Sequence, residues 1–134
     1  MKLIVCLSDD NGMMFNHRRQ SRDRALIADM VRHANGSPLW VSPYSASLFD
    51  MGCANLHILA NPLTAAGTNE YCFVEDTLLP PALDDVSEII IYRWNRLYPS
   101  DVYFLYDMSS FFLKETSDFV GSSHDKITKE IWKK

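Results

Sequence analysis

The sequence lacks the roughly 20 consecutive apolar residues that a membrane-spanning helix needs. Its first apolar run, Lys2–Leu7, is followed by Asp9 and Asp10, which come too early for a signal peptide. It also lacks a surplus of positive charge: the net charge is −4, which argues against broad binding to nucleic acid. These absences predict a cytoplasmic protein with no membrane partner.

Cysteine is scarce and unpaired in pattern. The three cysteines, Cys6, Cys53 and Cys72, are an odd number and form no Cys-x-x-Cys pair. Cys6 and Cys72 lie in apolar, strand-like runs, where cysteine behaves as a small hydrophobic residue. This usage disfavours a disulfide framework and is typical of the reducing cytosol.

The 134 residues are enough for one domain, which we predict to span residues 1–134. Short apolar runs predict strands at Lys2–Leu7, Pro38–Val41, Leu56–Ala60, Glu70–Glu75, Glu88–Trp94 and Val102–Tyr106, and a closing hairpin of Phe111–Val120 and Ile127–Trp132. Helical spacing predicts a helix over 22–34 with Ser21 as its N-cap, and Pro43 starts a shorter helix over 44–51 that Gly52 ends. Residues 11–20 read as a loop.

This order predicts an α/β fold with two to three helices. Strands and helices alternate in the first half, as they do in parallel βαβ units. The second half is mostly strands, which we expect to add to the sheet in antiparallel fashion along one edge.

An arginine-rich segment follows the first strand. Four of the thirteen basic residues, Arg18, Arg19, Arg22 and Arg24, fall within seven positions, and His17 adjoins them. The segment leads into a helix N-terminus, and guanidinium groups bind phosphate and carboxylate in a bidentate manner. We predict an anion site for a nucleotide or a phosphorylated metabolite. An RNA- or protein-binding face and plain surface ion pairs remain alternatives.

Three further features carry candidate chemistry. Glu75 is a candidate catalytic carboxylate because it ends a predicted strand. Tyr92 lies with Arg93 and Trp94 in a strand, where they either stack on a ligand or belong to the core. The segment Ser122–Asp125 contains serine, histidine and aspartate, but catalytic triads converge from separate parts of a chain, so we interpret it as a hairpin turn.

The order of elements resembles that of dihydrofolate reductase. The family's first strand and the loop over its pocket are similar to KLIVCLSDDNGMMFN, and its next helix and second strand to SRDRALIADMVRHANGSPLWV. Its late strands are similar to EIIIYRWNRLYPSDVYFLYDMSSFFLKETSDFV and KITKEIWKK. The resemblance covers most of the chain and implies a dihydrofolate reductase-like mixed sheet. The family's catalytic carboxylate lies on the first helix, close to Asp23, so the resemblance implies that Asp23 is a candidate catalytic residue.

The stretches that bind the family's cofactor differ in this sequence. The glycine pair that cradles the cofactor pyrophosphate is replaced by Glu75 and Asp76, whose charge would repel phosphate. Ser42 and Pro43 stand where the family has a glycine and an arginine. The resemblance therefore implies a reduced core that keeps the pocket and uses no nicotinamide cofactor, so reductase activity is disfavoured. Whether the pocket catalyses another reaction stays open.

The sequence is also similar to short bacterial proteins that carry the label ribonuclease Z. That activity needs a dense cluster of histidine and aspartate ligands for zinc. The four histidines, His17, His33, His57 and His124, are isolated from one another. We therefore predict no metal site. The similarity to these proteins adds only the expectation that this protein comes from a bacterium.

Overall fold

A seven-stranded mixed sheet organises the chain in the computed structural model, which describes residues 1–50, 55–76, 79 and 83–134. Its strands in sheet order are β5 (Leu56–Ile58), β4 (Leu39–Val41), β6 (Tyr71–Phe73), β1 (Lys2–Leu7), β7 (Glu88–Arg93), β10 (Ile127–Lys133) and β9 (Phe112–Phe119). The strands from β5 to β7 are parallel, and the last two are antiparallel. The predicted α/β class, with a parallel front half and antiparallel C-terminal strands, is confirmed.

The central strand β1 is buried because its residues are apolar on both faces. Ile4 packs with helix α1 (Arg24–Ala34), whereas Leu3 and Val5 pack on the opposite face of the sheet. All three side chains are fully buried. Burial on both faces is typical of a strand inside a parallel sheet, and it leaves the strand ends as the places where polar side chains can gather.

Helix α1 begins two residues later than the sequence indicates. Its N-cap is Asp23 rather than Ser21, because the Asp23 carboxylate accepts hydrogen bonds from the backbone N–H groups of Ala25 and Leu26. The helix ends at Asn35, which has a left-handed conformation with φ of 46°. Leu26 and Met30 bury its inner face against the sheet.

A small second sheet corrects two expectations. Residues 11–20 are not a loop: they contain β2 (Gly12–Phe15) and β3 (Arg18–Arg19), joined through Asn16 and His17, both with positive φ. Two central residues with positive φ are what a tight hairpin turn requires. The strand expected over 102–106 is only β8 (Val102–Tyr103), and it pairs with β2 instead of the main sheet.

Two other elements differ from the sequence interpretation. The second helix, α2, is one turn long and spans Pro43–Ala46; a single 3₁₀ turn at Pro62–Thr64 follows later. The end expected for α2, at residues 51 and 52, lies outside the described residues. Strand β7 is parallel to β1 near the centre of the sheet, rather than part of an antiparallel edge. The predicted closing hairpin of β9 and β10 is confirmed. In the described residues no helix is long and apolar enough to cross a membrane.

Candidate functional site

The structure divides the arginine-rich segment between two sides of the molecule. Arg18 and Arg19 are neighbours on β3, where successive side chains point to opposite faces. Arg18 is exposed, whereas Arg19 turns inward. Arg22 and Arg24 lie on either side of the helix cap and are exposed. Adjacent positions in the sequence therefore do not form one cluster of four guanidinium groups.

The positive charge of Arg19 is paired inside the protein. Its Nε and Nη2 donate to the two carboxylate oxygens of Glu75 at 2.9 and 3.1 Å, a bidentate ion pair. The guanidinium also stacks 4.3 Å from the ring centroid of Tyr44. Glu75 accepts a further hydrogen bond from Ser45 at 2.8 Å. Two of the predicted site residues, Arg19 and Glu75, are thus brought together, and their opposite charges are paired with each other.

Glu75 also lines a cavity of about 640 Å³, which we call the acidic cavity. Three carboxylates face it, from Glu75, Asp76 and Asp101, together with the predicted site residue His17. Its walls include three tyrosines, Tyr44, Tyr103 and Tyr106. Among the described lining residues there is no arginine or lysine. This place corresponds to the cofactor stretch of the family resemblance, and the residues present do not fit a pyrophosphate, because like charges would meet in a partly closed space.

The Asp23 carboxylate is fully enclosed and saturated with donors. Besides capping α1, it accepts hydrogen bonds from the backbone N–H groups of Ser122 and Ser123, each at 2.9 Å. The imidazole Nδ1 of His124 lies 2.9 Å from its Oδ2. A Cβ at Gly121 would overlap this carboxylate, so only glycine fits there. These contacts tie the turn between β9 and β10 to the start of the helix.

The donors around Asp23 decide its ionisation. Burial by itself would raise the pKa of this carboxyl group, but the hydrogen bonds from Ser123, His124, Ser122 and Leu26 outweigh burial and hold the pKa well below its usual value. The carboxylate is therefore charged throughout the neutral range. A carboxylate with so low a pKa is a poor proton donor or acceptor. Its hydrogen bonds instead hold the neighbouring groups in place.

His124 extends this arrangement to two hydroxyl groups. Its Nε2 lies 3.0 Å from the hydroxyl oxygen of Ser21 and 3.0 Å from that of Tyr98. The ring stacks on Trp94, with centroids 4.7 Å apart and planes 28° apart. We call Ser21, Asp23, Tyr98 and His124 the His124 cluster. Sequence reasoning missed this cluster, because its members come from residues 21–23, 98 and 124 and the segment Ser122–Asp125 was interpreted only as a hairpin turn.

Tyr92 lies away from the other predicted site residues. Its side chain is fully buried in the core beside α1, and its hydroxyl donates to Asp29 at 2.6 Å. Burial, together with the hydrogen bond to Asp29, raises the pKa of the Tyr92 hydroxyl. The structure places this residue among the packing contacts of the helix.

An open groove of about 670 Å³ runs between α1 and the residues after α2. Three arginines line it: Arg22, Arg24 and Arg32. Its apolar lining is Ile27, Ala28, Val31, Leu48 and Phe49, and Asp50 is the one carboxylate among its described residues. We call this the arginine groove. Sequence reasoning missed Arg32, which lies two turns along the same helix from Arg24 and is visible only once the exposed face of α1 is known.

The charges of the groove are weakly compensated. Within the described ranges no carboxylate lies within ion-pairing distance of Arg22 or Arg24. Arg32 has a distant partner, Asp29, at 3.6 Å, and Asp29 is bound more closely by Lys129 at 2.9 Å. In the same part of the chain no three metal-ligating side chains come together.

Comparison with known proteins gives a fold and no family. No protein-family model matches the chain, and no curated protein matches it. Among solved structures, a dihydrofolate reductase from Enterococcus faecalis, complexed with NADP(H) and RAB-propyl, superimposes with a TM-score of 0.67. The two chains share 6% sequence identity, and the match covers 98% of this chain and 94% of that one. The chain therefore has a dihydrofolate reductase-like fold, and at this identity the likeness shows the fold alone.

Proposed function

We propose that this dihydrofolate reductase-like domain binds a small amphipathic anion in the arginine groove. The observation that carries the proposal is the lining of the groove, in which Arg22, Arg24 and Arg32 stand around an apolar floor. A fold of this kind hosts many functions, so the argument rests on the groove itself. The proposed site keeps the anionic ligand and Arg22 from the sequence prediction, and it has Arg24 and Arg32 in place of Arg18 and Arg19.

Binding an anion costs less free energy at Arg22 and Arg24 than at Arg19. Arg19 already pairs with Glu75 at 2.9 Å, so an added anion would have to compete with a buried carboxylate. Arg22 and Arg24 are exposed and have no carboxylate partner in the described part of the chain. Their guanidinium forks can therefore bind a carboxylate or phosphate without losing an existing ion pair.

The apolar residues on the floor of the groove favour a ligand that has an apolar part beside its negative charge. Ile27, Val31 and Leu48 are half-buried and present apolar surface next to the charged rim. A volume of about 670 Å³ suits a molecule of the size of a nucleotide or an aryl carboxylate. The matching ligand has a flat apolar body and one or two negative charges. A cytosolic ligand is in keeping with Cys6 and Cys72, which are free thiols.

An RNA-binding role for the same face is the competing proposal. A backbone-binding surface needs several phosphate contacts in a row, whereas the net charge here is −4. The groove also offers an apolar floor, which single-stranded RNA would use only through its bases. We therefore favour the small anion and treat RNA as one outcome of the test.

Binding is best tested by ligand-induced thermal stabilisation. Nucleoside monophosphates and aryl carboxylates should raise the Tm of the protein, and the uncharged nucleosides and aryl amides should not. Saturation at about 100 times the Kd corresponds to about 2.7 kcal/mol of added stability. If only RNA raises the Tm, and does so in a salt-sensitive manner, the small-anion proposal is wrong.

The variant Arg22→Gln with Arg24→Gln should abolish the stabilisation by anions. Arg18→Gln is the matched control, because Arg18 is equally exposed but lies outside the groove. An equal loss of binding in the control would show that overall charge, rather than this groove, attracts the ligand.

A further inference from the structure

We propose that Ser21 is a nucleophile activated by His124 and that the His124 cluster hydrolyses small carboxylic esters. The inference is independent of ligand binding in the arginine groove. It rests on a chain of hydrogen bonds that joins a carboxylate, an imidazole and a serine hydroxyl in the order Asp23, His124, Ser21.

The distances between Asp23, His124 and Ser21 are those of hydrogen bonds. Asp23 Oδ2 lies 2.9 Å from His124 Nδ1, and His124 Nε2 lies 3.0 Å from Ser21 Oγ. Both contacts fall within the reach expected of a nucleophile, its base and the group that orients the base. The three residues come from two distant parts of the chain, as the groups of a convergent triad do.

The surroundings of Asp23 determine which nitrogen of His124 carries the proton. The pKa of Asp23 is held low, so its carboxylate is charged and accepts from every neighbour. A neutral imidazole beside it must carry its hydrogen on Nδ1, which leaves Nε2 as an acceptor. Nε2 can then accept from Ser21 or from Tyr98, whose hydroxyl oxygens both lie 3.0 Å away. Donation by Ser21 is the arrangement that general-base activation of a serine requires.

Ser21 is half-buried, so part of the residue is open to solvent. The cavity that it lines, of about 10 Å³, holds no more than a water molecule, so a small acyl group has to reach the residue from its solvent side. His124 also lines a more open hollow of about 360 Å³, whose described lining does not include Ser21. The backbone N–H of Arg22, the residue after the nucleophile, donates to no acceptor within the described residues and is available to a developing oxyanion.

The reaction proceeds in two balanced steps. Ser21 Oγ forms a bond to the ester carbonyl carbon while its proton passes to His124 Nε2, and the carbonyl electron pair moves to oxygen. Collapse of this intermediate breaks the bond to the alcohol, which leaves with the proton from His124. A water molecule then attacks the acyl-serine in the same way, giving the carboxylic acid and restoring the Ser21 hydroxyl.

The experiment uses p-nitrophenyl acetate and a small fluorophosphonate as probes, with the modified residue identified by mass spectrometry. We expect acetylation and phosphonylation at Ser21 and release of nitrophenolate. Ser21→Ala should remove the modification and lower the hydrolysis rate by at least about 100-fold, the contribution typical of a positioned base and its nucleophile. Ser109→Ala, at an exposed serine in a loop, should change neither.

Tyr98 supplies a test that a purely structural cluster would fail. Its hydroxyl lies 3.0 Å from the same Nε2 and competes with Ser21 for that acceptor. Tyr98→Phe removes the competitor, so the rate of Ser21 phosphonylation should rise. His124→Gln should abolish phosphonylation, and the Tm of each variant shows whether it is folded at the assay temperature.

Two results would overturn the proposal. One is folded protein in which neither probe modifies Ser21. The other is Ser21 modification at an unchanged rate in a folded His124→Gln variant, since the serine would then react without its base. Either result leaves the His124 cluster as a structural clamp between the β9–β10 turn and α1.

Discussion

The inner and outer residues of segment 17–24 differ in what balances their charge. Arg19 and Asp23 turn inward and are matched by Glu75 and by the donors of the β9–β10 turn. Arg22 and Arg24 turn outward and line the arginine groove. Charge that is balanced within the protein maintains the fold, whereas charge left exposed beside an apolar floor is available to a ligand. The contrast shows that clustering along the sequence is a poor guide to clustering in space.

Two hollows among the described residues repeat this contrast. The acidic cavity, of about 640 Å³, is lined by three carboxylates, and the arginine groove, of about 670 Å³, by three arginines. They are similar in size and opposite in sign. Because the fold separates them, the protein can hold both without the two sets of charges neutralising one another.

The largest effect should come from removing the inner carboxylate. Asp23→Ala leaves His124 and several buried donors without an acceptor, so we expect the free energy of unfolding to fall by about 3–5 kcal/mol. Urea denaturation followed by circular dichroism measures the loss. Asp125→Ala, at an exposed position on the same turn, should change stability by less than about 0.5 kcal/mol. A loss below about 1 kcal/mol at Asp23 would mean that the turn is not anchored there.

The ion pair between Arg19 and Glu75 should come next. Arg19→Ala removes two hydrogen bonds to a largely buried carboxylate, and we expect a loss of about 1.5–3 kcal/mol in the free energy of unfolding. Adding Glu75→Gln to this variant removes the unpaired charge and should recover part of the loss. Full additivity of the two changes would contradict the pairing seen in the structure.

Acid should weaken the protein through Asp23. The pKa of Asp23 is lower in the folded protein than in the unfolded chain, so its contribution is complete above about pH 4 and is lost as the pH falls further. Denaturation midpoints between pH 2 and pH 6 measure this slope. Asp23→Asn should show a shallower decline than the natural sequence. Equal slopes would assign the acid sensitivity to other carboxylates.

The smallest effect on stability should come from the outer arginines. Arg22→Ala and Arg24→Ala remove exposed side chains without a carboxylate partner in the described ranges, so each should change the free energy of unfolding by less than about 0.5 kcal/mol. The same variants should lose the stabilisation by anions. A loss of stability well above this value in the ligand-free protein would show that the charges of Arg22 and Arg24 are balanced within the protein, as those of Arg19 and Asp23 are.

Much of the fold could be predicted from local patterns. The apolar run of β1, the helical spacing over Leu26 and Met30, and the turn residues between the two closing strands each indicate their element directly. The β2–β3 hairpin could not be predicted as readily. Its turn residues, Asn16 and His17, adopt positive φ because of the pairing around them.

The candidate site was only partly predictable. The sequence indicates Arg22 as part of an arginine-rich segment and Glu75 as a carboxylate at a strand end, but the side to which each side chain turns depends on the sheet and on the cap of α1. Ser21 and His124 are 103 residues apart, and no local pattern connects them. Their contact exists because the β9–β10 turn lies over the N-terminus of the helix.

The sequence by itself determined which segments are buried strands, where the first helix lies, and that a concentration of arginine precedes it, because hydrophobic period and capping chemistry act over a few residues. Only the tertiary structure decided which arginines are neutralised and which carboxylate holds His124. Those outcomes depend on side chains that approach within about 3 Å after the strands have assembled, and hydrogen bonding is effective only at such distances.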